Sequence, residues 1–452
     1  MVHTFYSCGI YVALDTDSGA VHLIDETVHD VLQHYPQGQE AVFANLKHRY
    51  SADVLSEVIA EIEALQADGQ LFTQYDFADA LPKTNNEQGL IKALCLHAAH
   101  DCNLRCDYCF AATGNFQGVR CLMDEKVGLA AIDFLIENSG ERTLLEMDFF
   151  GGEPLMNFEV IKKVVAYGRQ REAQCGKQFR FTITTNGLGL RADVIEYINR
   201  EMDNVVISID GRQEVHDHLR KTVTGEGSYR HIIENAKKLA ASRNQERYYI
   251  RGTFTTYNTD FAQDVLSLYQ EGFEQLSLEP VVAPETAHYA LREEQLPAIL
   301  SEYETLAQTY LQYRSEGKWF NFFHFMMDLE GPCVIKRLIG CGAGSEYLAV
   351  TPEGDLYPCH QFVGMEEYRM GNIMQGTLNR QIQARFARNN VLNKPDCKDC
   401  WAKYFCSGGC HANAALYGSS IEGRYAFGCE MEKKRLECAI AIAVLESGVE
   451  AE

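Results

Sequence analysis

The chain has 452 residues, of which 46% are hydrophobic and 23% are charged, and its formal net charge is −22. This length exceeds what one ordinary hydrophobic core accommodates, so it predicts two or three domains. The acidic balance argues against a nucleic-acid partner, whose phosphates are neutralised by Lys and Arg, and it favours a small or peptidic substrate.

The first 78 residues are predicted to form a small separate domain. FYSCGIYVALD and AVHLID read as strands around the turn TDSG, and three amphipathic helices follow. The last helix lies in SADVLSEVIAEIEALQADG, with Ser51 as its N-cap and Gly69 at its end. Strands followed by three short helices suggest a winged helix-turn-helix over 1–78, although the many acidic residues argue against DNA binding. A linker is expected at 79–89.

Short β-branched segments alternate with helical patterns from residue 90 to residue 315. This alternation predicts an α/β fold, a partial (β/α)6 TIM-like barrel, because six strands are too few for the complete barrel of eight. The predicted strands are IKALCLH, LEMDFF, FRFTITTN, NVVISID, YYIRGTFT and QLSLEPV. Since active sites in such folds lie at the carboxyl ends of the strands, we expect the chemistry in the segments after the first four strands.

Three cysteines follow the first predicted strand, in the stretch HDCNLRCDYCFA: Cys102, Cys106 and Cys109. The chain has sixteen cysteines, and in a reducing compartment such a number favours metal ligation over disulfides. A structural zinc ion would need a fourth ligand from elsewhere in the chain. A 4Fe-4S cluster held by only three thiolates leaves one iron free to chelate a small molecule, which explains the triplet better.

The segments GGEP, TNG and SID follow the next three predicted strands. With the cysteine triplet, they resemble the radical S-adenosylmethionine (SAM) enzymes. The resemblance implies that Tyr108 contacts the adenine and that the backbone of GGEP meets the methionine amino group, where glycine permits a close approach. In full, the SAM contacts that it implies are Tyr108, Gly151, Gly152, Glu153, Asn186, Ser208, Asp210 and Arg220.

The resemblance also implies the type of reaction. A reduced cluster passes an electron to bound SAM, and the resulting 5′-deoxyadenosyl radical removes a hydrogen atom from an unactivated carbon. The cofactors carry this chemistry, so no catalytic residue is assigned beyond the clusters. The barrel holds the target carbon and excludes water. An electron donor such as flavodoxin or ferredoxin is expected as a partner.

A second group of cysteines crowds the region 316–440, before a tail at 441–452. The run CKDCWAKYFCSGGC could be a zinc ribbon, but the whole array resembles the SPASM extension of peptide-modifying radical enzymes. That extension carries two auxiliary clusters, which gives three 4Fe-4S clusters in all. The resemblance assigns the outer cluster to Cys397, Cys400, Cys406 and Cys429, and the inner cluster to Cys341, Cys359 and Cys410. Cys333 either completes the inner cluster or leaves an iron open to a substrate thiolate, and His324 is expected to be structural.

The three parts together resemble SCIFF-type maturases, which install thioethers, from Cys sulfur to carbon, in a cysteine-rich ribosomal precursor peptide. The resemblance implies that the N-terminal domain binds the leader of that peptide by adding a strand to its sheet edge. Two alternatives stay open: an anaerobic sulfatase maturase that forms formylglycine, and a zinc-binding winged-helix regulator. The sequence shows neither a long apolar run nor a signal peptide, so we expect no membrane partner and a cytoplasmic location.

Overall fold

The computed structural model describes residues 1–74, 89–327, 329 and 338–448. Cys333 and most of the expected linker lie outside the described residues. Within the described ranges, none of the helices has the length and apolar character needed to cross a membrane.

The first 74 residues form a three-stranded antiparallel sheet followed by three helices. The elements are β1 (Val2–Ser7), β2 (Ile10–Asp15), β3 (Val21–Ile24), α1 (Glu26–His34), α2 (Gln39–Leu46) and α3 (Ala52–Ala67). Ser51 caps α3 as predicted, accepting a hydrogen bond from the Val54 N–H. The predicted winged helix-turn-helix is not supported. FYSCGIYVALD is not one strand, because Cys8 and Gly9 both have positive φ and form a two-residue hairpin turn between Ser7 and Ile10.

Strands and helices alternate through the next 230 or so residues, as expected for repeated β/α units. The strands are β4 (Ala93–His100), β5 (Leu104–Cys106), β6 (Cys121–Leu122), β7 (Leu144–Gly151), β8 (Gln178–Thr185), β9 (Asn204–Ser208), β10 (Arg220–Thr222), β11 (Tyr248–Phe254), β12 (Gln275–Pro280) and β13 (Asn321–Phe322). The helices are α4 (Glu125–Asn138), α5 (Phe158–Cys175), α6 (Ala192–Glu201), α7 (Gln213–Leu219), α8 (Tyr229–Ser242), α9 (Phe261–Gln270) and α10 (Leu296–Ser315).

The six predicted strands are present and lie side by side. They pair in parallel in the order β4, β7, β8, β9, β11 and β12. Every residue of β4 is buried, as expected for a parallel strand whose two faces are both covered. Because the strands are parallel, their carboxyl ends share one edge, where the loops that carry the predicted site residues meet.

The C-terminal part extends this same sheet. Its elements are β14 (Tyr347–Val350), β15 (Asp355–Tyr357), β16 (Gly371–Asn372), β17 (Thr377–Leu378), α11 (Arg380–Arg388), α12 (Lys403–Cys406), α13 (His411–Tyr417) and α14 (Ala426–Glu446). β14 pairs in parallel with β4, and β15, β16 and β17 follow as antiparallel strands. The barrel strands and the C-terminal strands therefore share one network of backbone hydrogen bonds.

The N-terminal sheet is covered on both faces. Ala13 packs into a core formed with the three helices of its own domain. Its neighbours Val12 and Leu14 point to the opposite face and pack against Trp401 and Ile440, the latter in α14. The N-terminal domain therefore rests on the C-terminal cysteine-rich region.

Candidate cofactor and cluster site

The first cysteine triplet lies on the loop after β4, and its three thiols converge. β5 pairs with β10 so that Cys106 faces Arg220, and the Cys109 N–H donates to the Cys106 carbonyl oxygen at 3.2 Å. Burial, Glu153 and Cys109 raise the pKa of Cys102 to about 11. Burial raises the pKa of Cys106 to about 12, against the opposing charge of Arg220. The raised pKa values of the Cys102 and Cys106 thiols suit a bound metal centre, which supplies the positive charge that stabilises thiolates.

The glycines of GGEP bring the end of β7 against this loop. A Cβ atom on Gly151, whose φ is +122°, would lie 2.2 Å from the Ala99 carbonyl oxygen. A Cβ atom on Gly152 would lie 2.2 Å from the Asp101 carbonyl oxygen. The Gly152 N–H donates to Ala99 at 2.8 Å, and the Glu153 N–H donates to Asp101 at 2.8 Å. Only glycine allows this backbone approach at both positions.

Glu153 is fully buried and joins the loop after β7 to the end of β8. Its carboxylate accepts hydrogen bonds from the Leu155 N–H at 3.0 Å, the Thr185 hydroxyl at 2.7 Å and the Asn186 N–H at 2.8 Å. Burial raises the pKa of Glu153 to about 7, against these three donors. The Asn186 side-chain amide in turn donates to Asn103 Oδ1 at 2.7 Å and lies 3.6 Å from Cys102 Sγ. Glu153 therefore positions Asn186 beside the cysteine loop.

Tyr108, Asp210 and Arg220 form a buried network next to Cys106. The Tyr108 hydroxyl donates to Asp210 Oδ2 at 2.6 Å, and Arg220 Nε donates to the same oxygen at 2.9 Å. The Arg220 guanidinium carbon lies 5.3 Å from the centre of the Tyr108 ring. Burial opposes the charge of Arg220, but Asp210 holds the pKa of this guanidinium well above its usual range. Ser208 ends β9 at the same sheet edge, opposite Arg251, and takes no part in either network of the described residues.

Seven of the C-terminal cysteines that the structure describes fall into two spatial groups, an inner trio and an outer quartet. In the inner trio, burial and the nearby thiols of Cys410 and Cys341 raise the pKa of Cys359. In the outer quartet, burial, Glu432 and the other three thiols raise the pKa of Cys406. The inner trio is Cys341, Cys359 and Cys410, and the outer quartet is Cys397, Cys400, Cys406 and Cys429. The structure brings together the same two groups of thiols that the resemblance assigns to the outer and inner clusters, and such thiol-rich donor sets fit iron-sulfur clusters.

A cavity of about 400 Å³ lies between the two groups and the barrel. Cys341 and Cys410 line it from the inner trio, and Glu279 lines it from the carboxyl end of β12. Glu279 lies 3.0 Å from His324 Nε2 and 3.6 Å from Arg435. Sequence patterns did not single out Glu279 or Arg435, because the residues that they contact are far away along the chain. The position of Glu279 at the end of the sixth strand was the available signal.

Two protein-family models match this chain. Residues 98–269 match the radical SAM superfamily, and residues 341–401 match SPASM, an iron-sulfur cluster-binding domain. A cysteine-type anaerobic sulfatase-maturating enzyme of Clostridium novyi is 24% identical over 339 residues, which is 70% of this chain and 86% of that enzyme. These matches leave the zinc-binding regulator without support.

Two solved structures resemble the fold. Native anSMEcpe with bound AdoMet and Cp18Cys peptide has a TM-score of 0.65 and 19% identity, and covers 80% of this chain and 100% of its own. Streptococcus suis SuiB bound to the precursor peptide SuiA has a TM-score of 0.54 and 15% identity, and covers 93% of this chain and 97% of its own. The matched domains imply iron-sulfur clusters and SAM as cofactors. The chain therefore carries a radical SAM domain joined to an iron-sulfur cluster-binding SPASM domain.

Proposed function

We propose that this chain is a maturase that forms thioether cross-links, from Cys sulfur to carbon, in a cysteine-rich ribosomal precursor peptide. The observation that supports it best is that two thiols of the inner trio line the wall of the cavity. Cys341 and Cys410 share this cavity with Glu279 and Pro280, which stand at the carboxyl end of β12. A peptide in the mouth of the barrel can therefore reach the inner cluster site.

The proposed holders of the clusters follow from the three thiol groups. Cys102, Cys106 and Cys109 would hold the cluster that binds SAM, and the inner trio and the outer quartet would each hold an auxiliary cluster. When bound, these groups and SAM supply one-electron chemistry that amino-acid side chains lack. The chain's own part is to orient SAM and the peptide and to exclude water. Tyr108 and Asn186 border the first triplet, and Asp210 and Glu153 fix their positions.

The inner trio is the feature that favours sulfur chemistry. Three protein thiols leave one iron of a 4Fe-4S cluster without a protein ligand, and a cysteine thiolate of the substrate could take that place. Cross-linking joins this sulfur to a carbon and removes two hydrogen atoms from the peptide for each bridge. Cys333, if it were a fourth ligand, would close the site to a substrate thiolate.

The N-terminal domain is the proposed binding site for the leader of the precursor. β3 is an edge strand, and its four residues are only half-buried, so its free backbone groups could pair with an added strand. The SuiB structure, which contains a precursor peptide, covers 93% of this chain, whereas that of anSMEcpe covers 80%. This difference in coverage favours a leader-binding peptide maturase.

The test is to incubate the anaerobically reconstituted, reduced enzyme with SAM and a cysteine-rich precursor peptide. We expect a product lighter by two hydrogen atoms for each bridge, with one fewer alkylatable thiol and with all of its sulfur retained. A Cys106→Ala variant should leave the peptide unchanged. Formation of 5′-deoxyadenosine with an unchanged peptide mass would refute the substrate assignment.

A second candidate is formylglycine formation, which the 86% coverage of the Clostridium novyi sulfatase-maturating enzyme favours. That reaction converts a cysteine side chain to an aldehyde and releases its sulfur. The same incubation separates the two reactions, because formylglycine reacts with a hydrazine probe and appears with free sulfide. A thioether gives neither signal.

A further inference from the structure

Three side chains of types that can ligate a metal ion lie close together, outside the cysteine groups described above. His100 ends β4, Cys121 begins β6, and Glu353 lies in the turn between β14 and β15. One potential ligand atom from each lies within 4.8 Å of the others. Glu353 is more than 200 positions away from the other two residues, so its meeting with them is a property of the fold.

Strand pairing sets the relative positions of His100 and Cys121. The antiparallel pairing of β4 and β6 places His100 directly opposite Cys121. The parallel pairing of β4 and β14 brings the next turn alongside, and the Asn372 side-chain amide donates to the Glu353 carbonyl oxygen at 3.1 Å. Cys121 Sγ already lies 3.2 Å from Glu353 Oε1. Ligand atoms around a tetrahedral zinc ion are about 3.5 Å apart, so the exposed Glu353 side chain needs only a small movement.

A second buried histidine, His97, contacts the imidazole ring of His100. His97 Nδ1 lies 3.0 Å from His100 Nε2, and both rings are buried. This contact leaves His100 Nδ1 as the nitrogen available to a metal. Ligating histidines usually bond a second polar group in this way, which fixes the orientation of the ring.

We propose that His100, Cys121 and Glu353 form a mononuclear zinc site, with a water molecule as the fourth ligand. Imidazole, thiolate and carboxylate together suit zinc, and zinc binds such sites more tightly than ferrous iron does. The ion would fasten the turn after β14 to β4, immediately before the loop of the first cysteine triplet. The proposal is independent of the peptide reaction.

The test uses the full-length, reconstituted protein with zinc as the probe, after dialysis against a chelator. We expect one zinc per chain in the wild type, with zinc-edge X-ray absorption showing a single sulfur at about 2.3 Å. Cys121→Ser and Glu353→Gln should each weaken zinc binding about tenfold or more, without loss of iron or sulfide. Cys175→Ser is the matched control, because Cys175 ends α5 away from the site, and it should bind zinc normally.

Three results would overturn the proposal. Zinc could be absent after dialysis, which would leave Cys121 and Glu353 as a simple hydrogen-bonded pair. Zinc could be present with three or four sulfur ligands, which would place it in an incompletely loaded cluster site. Zinc could also survive unchanged in both variants, which would assign it to other residues.

Discussion

Asp210→Asn tests whether the buried network beside Cys106 is held together by charge. Asp210 is 1% exposed and Arg220 is 9% exposed, so the ion pair at 2.9 Å is shielded from water. Asparagine keeps the shape but removes the charge, and it leaves the Arg220 guanidinium buried without its counter-ion. Breaking a buried pair from one side in this way costs about 3–5 kcal/mol.

The expected change in melting temperature follows from the size of the domain. A loss of 1 kcal/mol lowers the melting temperature of a domain of about 150–250 residues by about 2–4 °C. Asp210→Asn should therefore lower the melting temperature of the barrel by about 6–20 °C. Tyr108→Phe removes only one hydrogen bond to the same carboxylate, about 1.5 kcal/mol, and should lower it by about 3–6 °C.

The assay is anaerobic thermal unfolding followed by circular dichroism, at one scan rate because cluster proteins can unfold irreversibly. The decisive variant is Asp210→Asn/Arg220→Met, which removes both charges. It should recover part of the loss, since no charge is left unpaired. If the double variant melts at or below the temperature of Asp210→Asn, the unpaired charge is not the cause of the loss and the reasoning is refuted.

Three further predictions concern the other contacts. The pKa of Glu153 is raised to about 7 from about 4.3 in the unfolded chain, so the free energy of unfolding should fall by about 4 kcal/mol as pH rises between these values. Glu153→Gln should flatten this pH dependence in melting curves recorded across that range, and an unchanged slope would contradict the prediction. If the outer quartet holds a cluster, Cys429→Ser should reduce the bound iron by about four atoms per chain. Equal iron content in Cys429→Ser and in the control Cys175→Ser would exclude Cys429 as a ligand. The His3 ring stacks on Trp401, with the ring centres 3.9 Å apart. His3→Ala should therefore weaken docking of the N-terminal domain by about 0.5–1.5 kcal/mol and speed amide hydrogen exchange in β1. Unaltered exchange would contradict a role of this contact in docking.

Local patterns predicted the six central strands of the barrel, whereas the two C-terminal cysteine groups were assigned by the family resemblance. Most of the six central strands are rich in β-branched or aromatic residues, and helices alternate with them, which is the pattern of a parallel sheet. The inner thiols also have a local explanation. Cys341 precedes β14 and Cys359 follows β15, so the antiparallel hairpin between them brings both residues to the same end.

The features that the sequence did not predict depend on conformation or on long-range packing. The hairpin turn at Cys8 requires positive φ at a residue that rarely adopts it, so the sequence pattern predicts one strand where the structure has two. The docking of Val12 on Ile440, and the contact of Glu279 with Arg435, join residues more than 150 positions apart. Periodicity within a segment contains no information about such partners.

The pairing of β4 explains how two of the proposed cluster sites keep a fixed separation. The loop with the first cysteine triplet leaves the carboxyl end of β4, and the hairpin that carries Cys341 and Cys359 pairs along its side. Backbone hydrogen bonds therefore set the distance between the two groups, independently of the connection between the domains. A one-residue shift in this pairing would turn every side chain of β14 to the opposite face, so the register is strongly specified. If the cavity beside Glu279 and the N-terminal domain bind the peptide as proposed, variants at these two surfaces should alter substrate specificity without loss of iron.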